Sequence, residues 1–436
     1  MPAHENRKYL LIGNSAGGIG AAEAIREKDD TGSIVIIADE PYPTYSRPLI
    51  SEYLAEGLSL NEMLFRPVRF YKNLNIQQLL GTKVMRIDPA DHYVELDNGN
   101  KEYWERLLIA TGSTPIVPSI QGTELQGVFT FNTLDDAKAI DRYIGGVTQA
   151  VVIGGGLIGI SVTEALTKRG IEVNIIEMKD KILNTILDEE ASTLEEATLK
   201  QAGVQIWTNH TVTEIAGGLA NRRSVTGVML DNGHRISCQL VLVAIGVRPR
   251  VELTTDLSIK TDKGILVNRF MTTSNKNIYA CGDVAEAYDF VHDDQQLTPN
   301  WPNAYLGGRI AGFNMVGIPT QHPGSTAINS LKYFGLTAVS AGQVKPTSNN
   351  HEVLTAKSNR SYRRIILKDG IIIGMVFTGD IERSGIIYGL MKDRVNVESY
   401  KQELITDGFG LVSLPKEIWQ RWLDKSLIRS TTSVNS

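Results

Sequence analysis

Short, unbroken apolar runs recur along the chain, and several are followed by small residues and then by apolar positions at helical spacing. The first is "YLLIGNSAGGIGAAEAIR", in which Tyr9 to Ile12 are apolar and Ala21, Ala22, Ala24 and Ile25 follow at helical spacing. Continuous rather than alternating apolarity predicts a strand buried on both faces, as in a parallel sheet. A second strand, "SIVIIADEP", comes next. The same order returns from Ala150 in "AVVIGGGLIGI", with a helix to about Lys168, a cap at Gly170 and the strand "EVNIIE". Alternating segments with a hairpin signal follow in each half, at Asn98-Gly99 within Asp88 to Trp104 and at Asn232-Gly233 within Val225 to Cys238. The shared accessory hairpin supports an internal duplication.

A third region begins near Ser325. "YRRIILKDGIIIGMVFTGD" predicts a hairpin turning at Lys368 to Gly370. "PKEIWQRWLDKSL" predicts a helix with Ile418, Trp422 and Leu423 on one face, and the tail "RSTTSVNS" is expected to be disordered.

The turns between strand and helix carry the candidate chemistry. Gly13, Ser15 and Gly18 fill the three marked positions of G-x-G-x-x-G, and Gly154, Gly156 and Gly159 fill them again. In such a turn the first glycine makes the bend, the second lets the chain approach a pyrophosphate and the third lets the helix pack on the strand. Backbone N–H groups at the helix start then face the anion. Ser15 adds one hydroxymethyl group and leaves those N–H groups in place. Asp39, with Glu40 beside it, comes about 20 residues after Gly18, where an acid accepts hydrogen bonds from a ribose diol. Glu177 ends the equivalent strand in the second copy, and an acid there favours NADH over NADPH by repelling a 2′-phosphate. Two dinucleotide loops in one chain suit a flavoprotein that exchanges electrons with a nicotinamide coenzyme.

Composition narrows the field. The chain has 436 residues, 42% hydrophobic and 21% charged, which is ordinary for a globular protein of two or three domains. A net charge of −5 argues against a nucleic-acid partner. No apolar run is long enough to span a membrane and no signal peptide precedes the first strand, so the expectation is a cytoplasmic protein without a membrane partner. The two cysteines, Cys238 and Cys281, form no CxxC pair, and the seven histidines form no metal motif. Both cysteines read as small apolar residues of strands, and no metal is assigned.

Three further stretches, "RLLIATGSTP" (106–115), "LVLVAIGVRPR" (240–250) and "KNIYACGDVAE" (276–286), complete an ordered set. With the two glycine loops they resemble the two-dinucleotide flavoproteins called pyridine nucleotide-disulfide oxidoreductases, over about residues 8 to 320. "PYPTYSRPLISEYL" (41–54) and "PNWPNAYLGGRIAGFNMVG" (299–317) resemble the NADH-dependent rubredoxin and ferredoxin reductases and the flavin part of assimilatory nitrite reductases. The form "GNSAGGIGAAEAI" is also similar to flavoproteins working with carbon monoxide dehydrogenase. The resemblance implies an α/β fold with two Rossmann-like three-layer nucleotide-binding domains and a C-terminal α+β interface domain. The FAD domain is discontinuous (1–118 and 250–322), the NAD(H) domain is inserted (119–249), and 323–436 forms the interface domain. Proline and glycine in Thr111 to Gly122 and Gly246 to Glu252 mark the crossings.

The resemblance also assigns roles. Gly13, Ser15, Ala16, Gly17 and Gly18 cradle the FAD pyrophosphate, and Asp39 or Glu40 holds the adenosine ribose. Arg47 and Pro48 lie beside the flavin or its ribityl chain. Val84, Ala110, Thr111 and Gly112 line the cleft, with Gly282 and Asp283 at the ribityl-phosphate segment. Gly154, Gly156, Leu157, Ile158, Gly159, Glu177 and Gly246 contact NAD(H).

Relatives that reduce disulfides or peroxides carry a cysteine near Tyr45 to Arg47, where this chain has Ser46. Oxygenase-linked reductases often have a lysine where Glu52 stands and a glutamate where Ser161 stands. The implied activity is an FAD-dependent NAD(H):acceptor oxidoreductase, reversible in direction, with a rubredoxin- or ferredoxin-type iron–sulfur protein as partner. A link to carbon monoxide dehydrogenase and a homodimer are further expectations; an NADH oxidase and a flavin-bound redox sensor are the alternatives. No catalytic side chain is assigned, because the cofactors carry the chemistry.

Overall fold

The computed structural model describes residues 9–218, 223–255, 257–358, 361–420 and 422. The chain forms two compact units, one of Met1–Asn184 with Glu196–Ala327 and one of Thr185–Glu195 with Ile328–Ser436. The second unit takes in a stretch that the sequence reading places in the inserted domain.

The first unit holds two five-stranded parallel sheets. One runs Ile278–Ala280, Arg106–Ile109, Tyr9–Ile12, Ile34–Ala38, Ile76–Leu80 in spatial order. The other runs Val128–Thr130, Leu240–Val243, Gln149–Ile153, Glu172–Glu177, Gln205–Thr208. The central strands are the ones the apolar runs mark, and Leu10, Leu11, Val151 and Val152 are fully buried. The helices Ala16–Arg26 and Leu157–Lys168 leave the ends of those strands. The second helix stops with Gly170 at φ +76°, as its cap position predicts.

Each parallel sheet is accompanied by a three-stranded antiparallel one, Val84–Asp88 with Tyr93–Leu96 and Lys101–Tyr103, and Val212–Gly217 with Val225–Leu230 and Arg235–Ser237. Gly99 and Gly233 turn them at φ +80° and +81°, the left-handed backbone that an Asn-Gly hairpin uses. The proline-containing stretches between the halves pair with each other. Ser113–Pro115 and Val247–Pro249 form an antiparallel ribbon.

The second unit is a five-stranded antiparallel sheet in the order Ile328–Tyr333, Leu336–Gly342, Ile371–Thr378, Tyr362–Lys368, His351–Lys357, with the helix Ser384–Lys392 against it. The hairpin turns at Asp369 and Gly370, both with positive φ. Asp188, from the short segment that joins this unit, is buried and accepts hydrogen bonds from the Tyr362 hydroxyl and the Arg364 guanidinium, both at 2.5 Å. Residues 416–420 are helical and Trp422 packs on Gly389. Leu423 and the tail from Arg429 lie outside the described residues.

Candidate functional site

The two glycine turns have one geometry. Gly13 has φ +124°, and a Cβ there would stand 2.2 Å from the Ala110 carbonyl oxygen. Gly154 has φ +108°, and its Cβ would stand 2.3 Å from that of Ala244. A Cβ on Gly18 would lie 1.9 Å from the Gly13 oxygen, and one on Gly159 would lie 2.0 Å from the Gly154 oxygen. The protein's own backbone therefore demands the first and third glycines of each turn.

The middle position differs. Ser15 has φ −105° and ψ −164°, and Gly156 has φ −81° and ψ −176°. Both are extended conformations open to any residue, so Ser15 sits without strain. Nothing lies within 4 Å of a Cβ built on Gly156. The space beside the middle residue is room for a ligand rather than for protein. Although Ser15 occupies the N-cap, its hydroxyl makes no capping bond. The first helical amides, of Ala16, Gly17 and Gly18 in one turn and of Leu157, Ile158 and Gly159 in the other, have no intrahelical acceptor and face that space with the helix dipole. These features fit a pyrophosphate at each turn.

Register separates the acids. Ile153 pairs with Ile176, which puts Glu177 beside Gly154, whereas Ile12 pairs with Ile37, which puts Ala38 in the equivalent place. The acids of the first half are thus displaced by one or two residues. Glu177 accepts the Gly155 N–H at 2.7 Å and the Lys179 N–H at 2.8 Å. Asp39 forms an ion pair with Arg250 at 2.8 Å. Burial pushes the Asp39 carboxyl up, but the charge and hydrogen bond of Arg250 outweigh it and hold the group below its usual range. Glu40 is spent elsewhere: it accepts the Tyr45 hydroxyl at 2.5 Å and pairs with the Arg47 guanidinium.

Ala110 stands beside Gly13 and Gly17, and Gly282 follows Cys281, which packs under Gly17. Ala110 to Gly112 follow the strand Arg106–Ile109, and the Thr111 hydroxyl donates to the Arg250 carbonyl at 2.9 Å. Gly282, at φ +77°, opens a short turn that carries Asp283, whose carboxylate accepts the Ser113 hydroxyl at 2.9 Å. Burial raises the Asp283 carboxyl, partly offset by Ser113 and by the nearby Arg47 charge. Gly246, at φ +120°, lies near Ile116. Val84 packs in the hydrophobic core, and Pro48 is exposed next to Arg47. Glu52 and Ser161 sit on the helices Ile50–Glu56 and Leu157–Lys168, which pack together, and Glu52 accepts the Ser51 hydroxyl at 2.8 Å.

Neither thiol is poised for chemistry. Cys281 packs under Gly17, where a Cβ would meet its Sγ at 2.8 Å, and burial pushes its thiol up to about 12. Burial does the same to Cys238. A protonated, enclosed thiol is a poor nucleophile. Among the described residues no group of three or more His, Cys, Asp or Glu is placed to hold a metal, and no helix is long and apolar enough to cross a membrane.

Sequence reasoning missed Tyr42, Tyr45, Ser113, Asn132 and Arg250. Their partners lie far along the chain, and only the unusual density of aromatic and proline residues in "PYPTYSRP" marks the spot.

Paired phosphate-binding turns of this kind, each at the head of a parallel sheet, define a two-dinucleotide α/β oxidoreductase. The chain belongs to the pyridine nucleotide-disulphide oxidoreductase family, whose model matches residues 7–308, and residues 328–395 match the rubredoxin NAD+ reductase C-terminal domain. The family's cofactors are FAD and NAD(H). The chain is 28% identical over 411 residues to the epsilon subunit of the NADH-dependent phenylglyoxylate dehydrogenase of Aromatoleum evansii, covering 93% of this chain and 96% of that one. It is 28% identical to the assimilatory nitrate reductase electron transfer subunit of Bacillus subtilis, covering 94% of this chain but only 53% of that protein. The crystal structure of NADH:rubredoxin oxidoreductase from Clostridium acetobutylicum superimposes with a TM-score of 0.74 at 28% identity, covering 92% of this chain and 99% of that one.

Proposed function

We propose that this protein passes electrons between NADH and a small iron–sulfur protein of the rubredoxin or ferredoxin class. The observation that carries the reading is the pair of matched nucleotide turns in a chain whose two thiols are sealed. The rubredoxin reductase-type C-terminal domain and the named relatives support the class of acceptor. None of the three relatives above bears a carbon monoxide dehydrogenase name, so that link gains no support from them.

Bound FAD would supply the chemistry, accepting electrons as a pair from the coenzyme and releasing them singly. The protein's part is to bind and orient. Gly13 to Gly18 would hold the FAD pyrophosphate, with Asp283 taking ribityl hydroxyls. Asp39 rather than Glu40 would hold the adenosine ribose, because its side chain is 41% exposed, against 17% for Glu40. Gly154 to Gly159 would hold the coenzyme. The Glu177 carboxylate, fixed by two backbone N–H groups, would accept the ribose diol and disfavour a 2′-phosphate.

Anaerobic stopped-flow mixing of the purified protein with NADH tests this. The expected outcome is a yellow protein whose flavin absorbance bleaches with NADH and returns on adding oxidised rubredoxin or ferredoxin. A colourless preparation that takes up no FAD would sink the reading. Rapid recovery with oxygen, equal to that with the iron–sulfur proteins, would favour the NADH oxidase instead.

A further inference from the structure

We infer that the segment Glu40 to Arg47 is a clasp that positions the coenzyme half against the FAD half, on the stretch where disulfide-reducing relatives carry their cysteine. The inference rests on the reading of the two halves given above.

Three side chains of this stretch reach one target, the lead-in and first turn of the helix Leu134–Tyr143. The Tyr45 hydroxyl accepts the Leu134 N–H at 3.0 Å while donating to Glu40. Arg47 donates to the Asn132 carbonyl at 2.9 Å while pairing with Glu40. The Tyr42 hydroxyl donates to Asp135, and the Lys138 ammonium stands 4.1 Å from the centre of its ring. The target is itself preorganised, since Asp136 accepts the N–H groups of Asn132 and Thr133 at 2.8 and 3.0 Å.

Leu134 holds the first helical position, so its N–H has no intrahelical acceptor. The Tyr45 oxygen fills that need from the other half. If the segment served packing alone, phenylalanine and methionine would do. Instead the polar ends of Tyr45 and Arg47 are both spent across the boundary, and Tyr45 is 6% exposed. Glu40 is the hub that holds both donors in line. The helix Ile50–Glu56 ties the boundary again, through Arg169 to the Leu54 carbonyl at 2.8 Å and through Lys168 to Glu56 at 3.1 Å. The Arg47 charge also favours the ionised forms of Asp39 and Asp283. One guanidinium therefore touches the coenzyme half and lies within the field of the acids around the first turn. Tyr45 and Arg47 are positioning residues, not catalytic ones.

Amide hydrogen exchange of the intact protein, without NADH, reads the clasp directly. Tyr45→Phe should speed exchange at Leu134 about tenfold, the size of one lost buried hydrogen bond. Arg47→Lys should speed it at Thr133 to Asp136, because a single nitrogen cannot span Glu40 and Asn132 as the two guanidinium nitrogens do. Both variants should raise KM for NADH several-fold more than they lower kcat. The milder Tyr42→Phe should show the same pattern with smaller changes, and it decides the matter if the other two do not fold. Exchange and KM equal to wild type in the folded variants would overturn the clasp. Exchange needs neither coenzyme nor acceptor. A wild-type protein that NADH fails to reduce would refute the proposed function and leave the exchange result to judge the clasp.

Discussion

The two nucleotide turns solve one backbone problem and differ where a ligand, not the fold, sets the terms. At Gly13 and Gly154, and at Gly18 and Gly159, the clash that a side chain would make is with a backbone carbonyl of the same turn or of the neighbouring strand's end. At Ser15 and Gly156 there is no such clash, and the first half has substituted freely. The acids differ for a related reason. Glu177 ends its strand and is bonded to its own turn, whereas the first half has Ala38 in that place and carries Asp39, anchored by Arg250, one residue further on. The fold fixes the first and third glycines of each turn and leaves the acid and the middle residue free to differ.

The largest test of that contrast is at the third glycine. A methyl group 1.9 or 2.0 Å from a backbone oxygen cannot be accommodated without moving the turn, and overpacking of this kind costs about 1–3 kcal/mol. Gly18→Ala is expected to yield protein that loses FAD on gel filtration. Gly159→Ala is expected to stay yellow but to resist bleaching by NADH. Visible spectra before and after adding NADH check both. If the two variants lose the same ligand, the division of labour between the halves is wrong.

A smaller effect is expected at the middle position. Gly156→Ser should raise unfolding free energy by up to about 1 kcal/mol, because it removes glycine's freedom in the unfolded chain at a backbone conformation open to any residue. Ser15→Gly should lower it by up to about 1 kcal/mol through the freedom glycine gains in the unfolded chain. Urea titrations of the apo-proteins measure both. A cost at Gly156 as large as at Gly159 would mean that the open space beside it is occupied by protein.

Much of this was legible in the sequence because it is local. The central strands, both glycine turns, the cap at Gly170 and the hairpins at Asn98-Gly99, Asn232-Gly233 and Asp369-Gly370 depend on residues a few positions apart. What was not legible depends on distant partners. Asp39 and Glu40 look interchangeable in the sequence, and only the pairing of one with Arg250 and of the other with Tyr45 and Arg47 tells them apart. Asp188 falls in the range 119–249 assigned to the inserted domain, yet its hydroxyl and guanidinium donors, Tyr362 and Arg364, come from the C-terminal sheet. Strand register, which the apolar runs do not encode, set the acid positions.

The smallest expected effect separates two acids near the first turn by sign. Asp39 titrates below its ordinary value of 3.8 in the folded protein, because Arg250 outweighs its burial. Its contribution to stability is therefore complete above that value and is lost as the pH falls through the lower, folded one. Asp283 is shifted the other way by burial. Its ionised form weighs against folding at neutral pH, and that cost disappears as the pH falls through its raised folded value. Asp39→Asn should thus lower Tm at pH 6 and converge on wild type in acid. Asp283→Asn should raise Tm of the apo-protein at pH 6 and converge likewise. The Asp39 pair is partly exposed, so its share is under about 1 kcal/mol. High salt should shrink it further. Thermal unfolding of the apo-proteins at pH 6 and in acid, at low and high salt, would show both. Equal signs at pH 6 would mean that Arg250 does not hold Asp39 or that Asp283 is not confined as the fold places it.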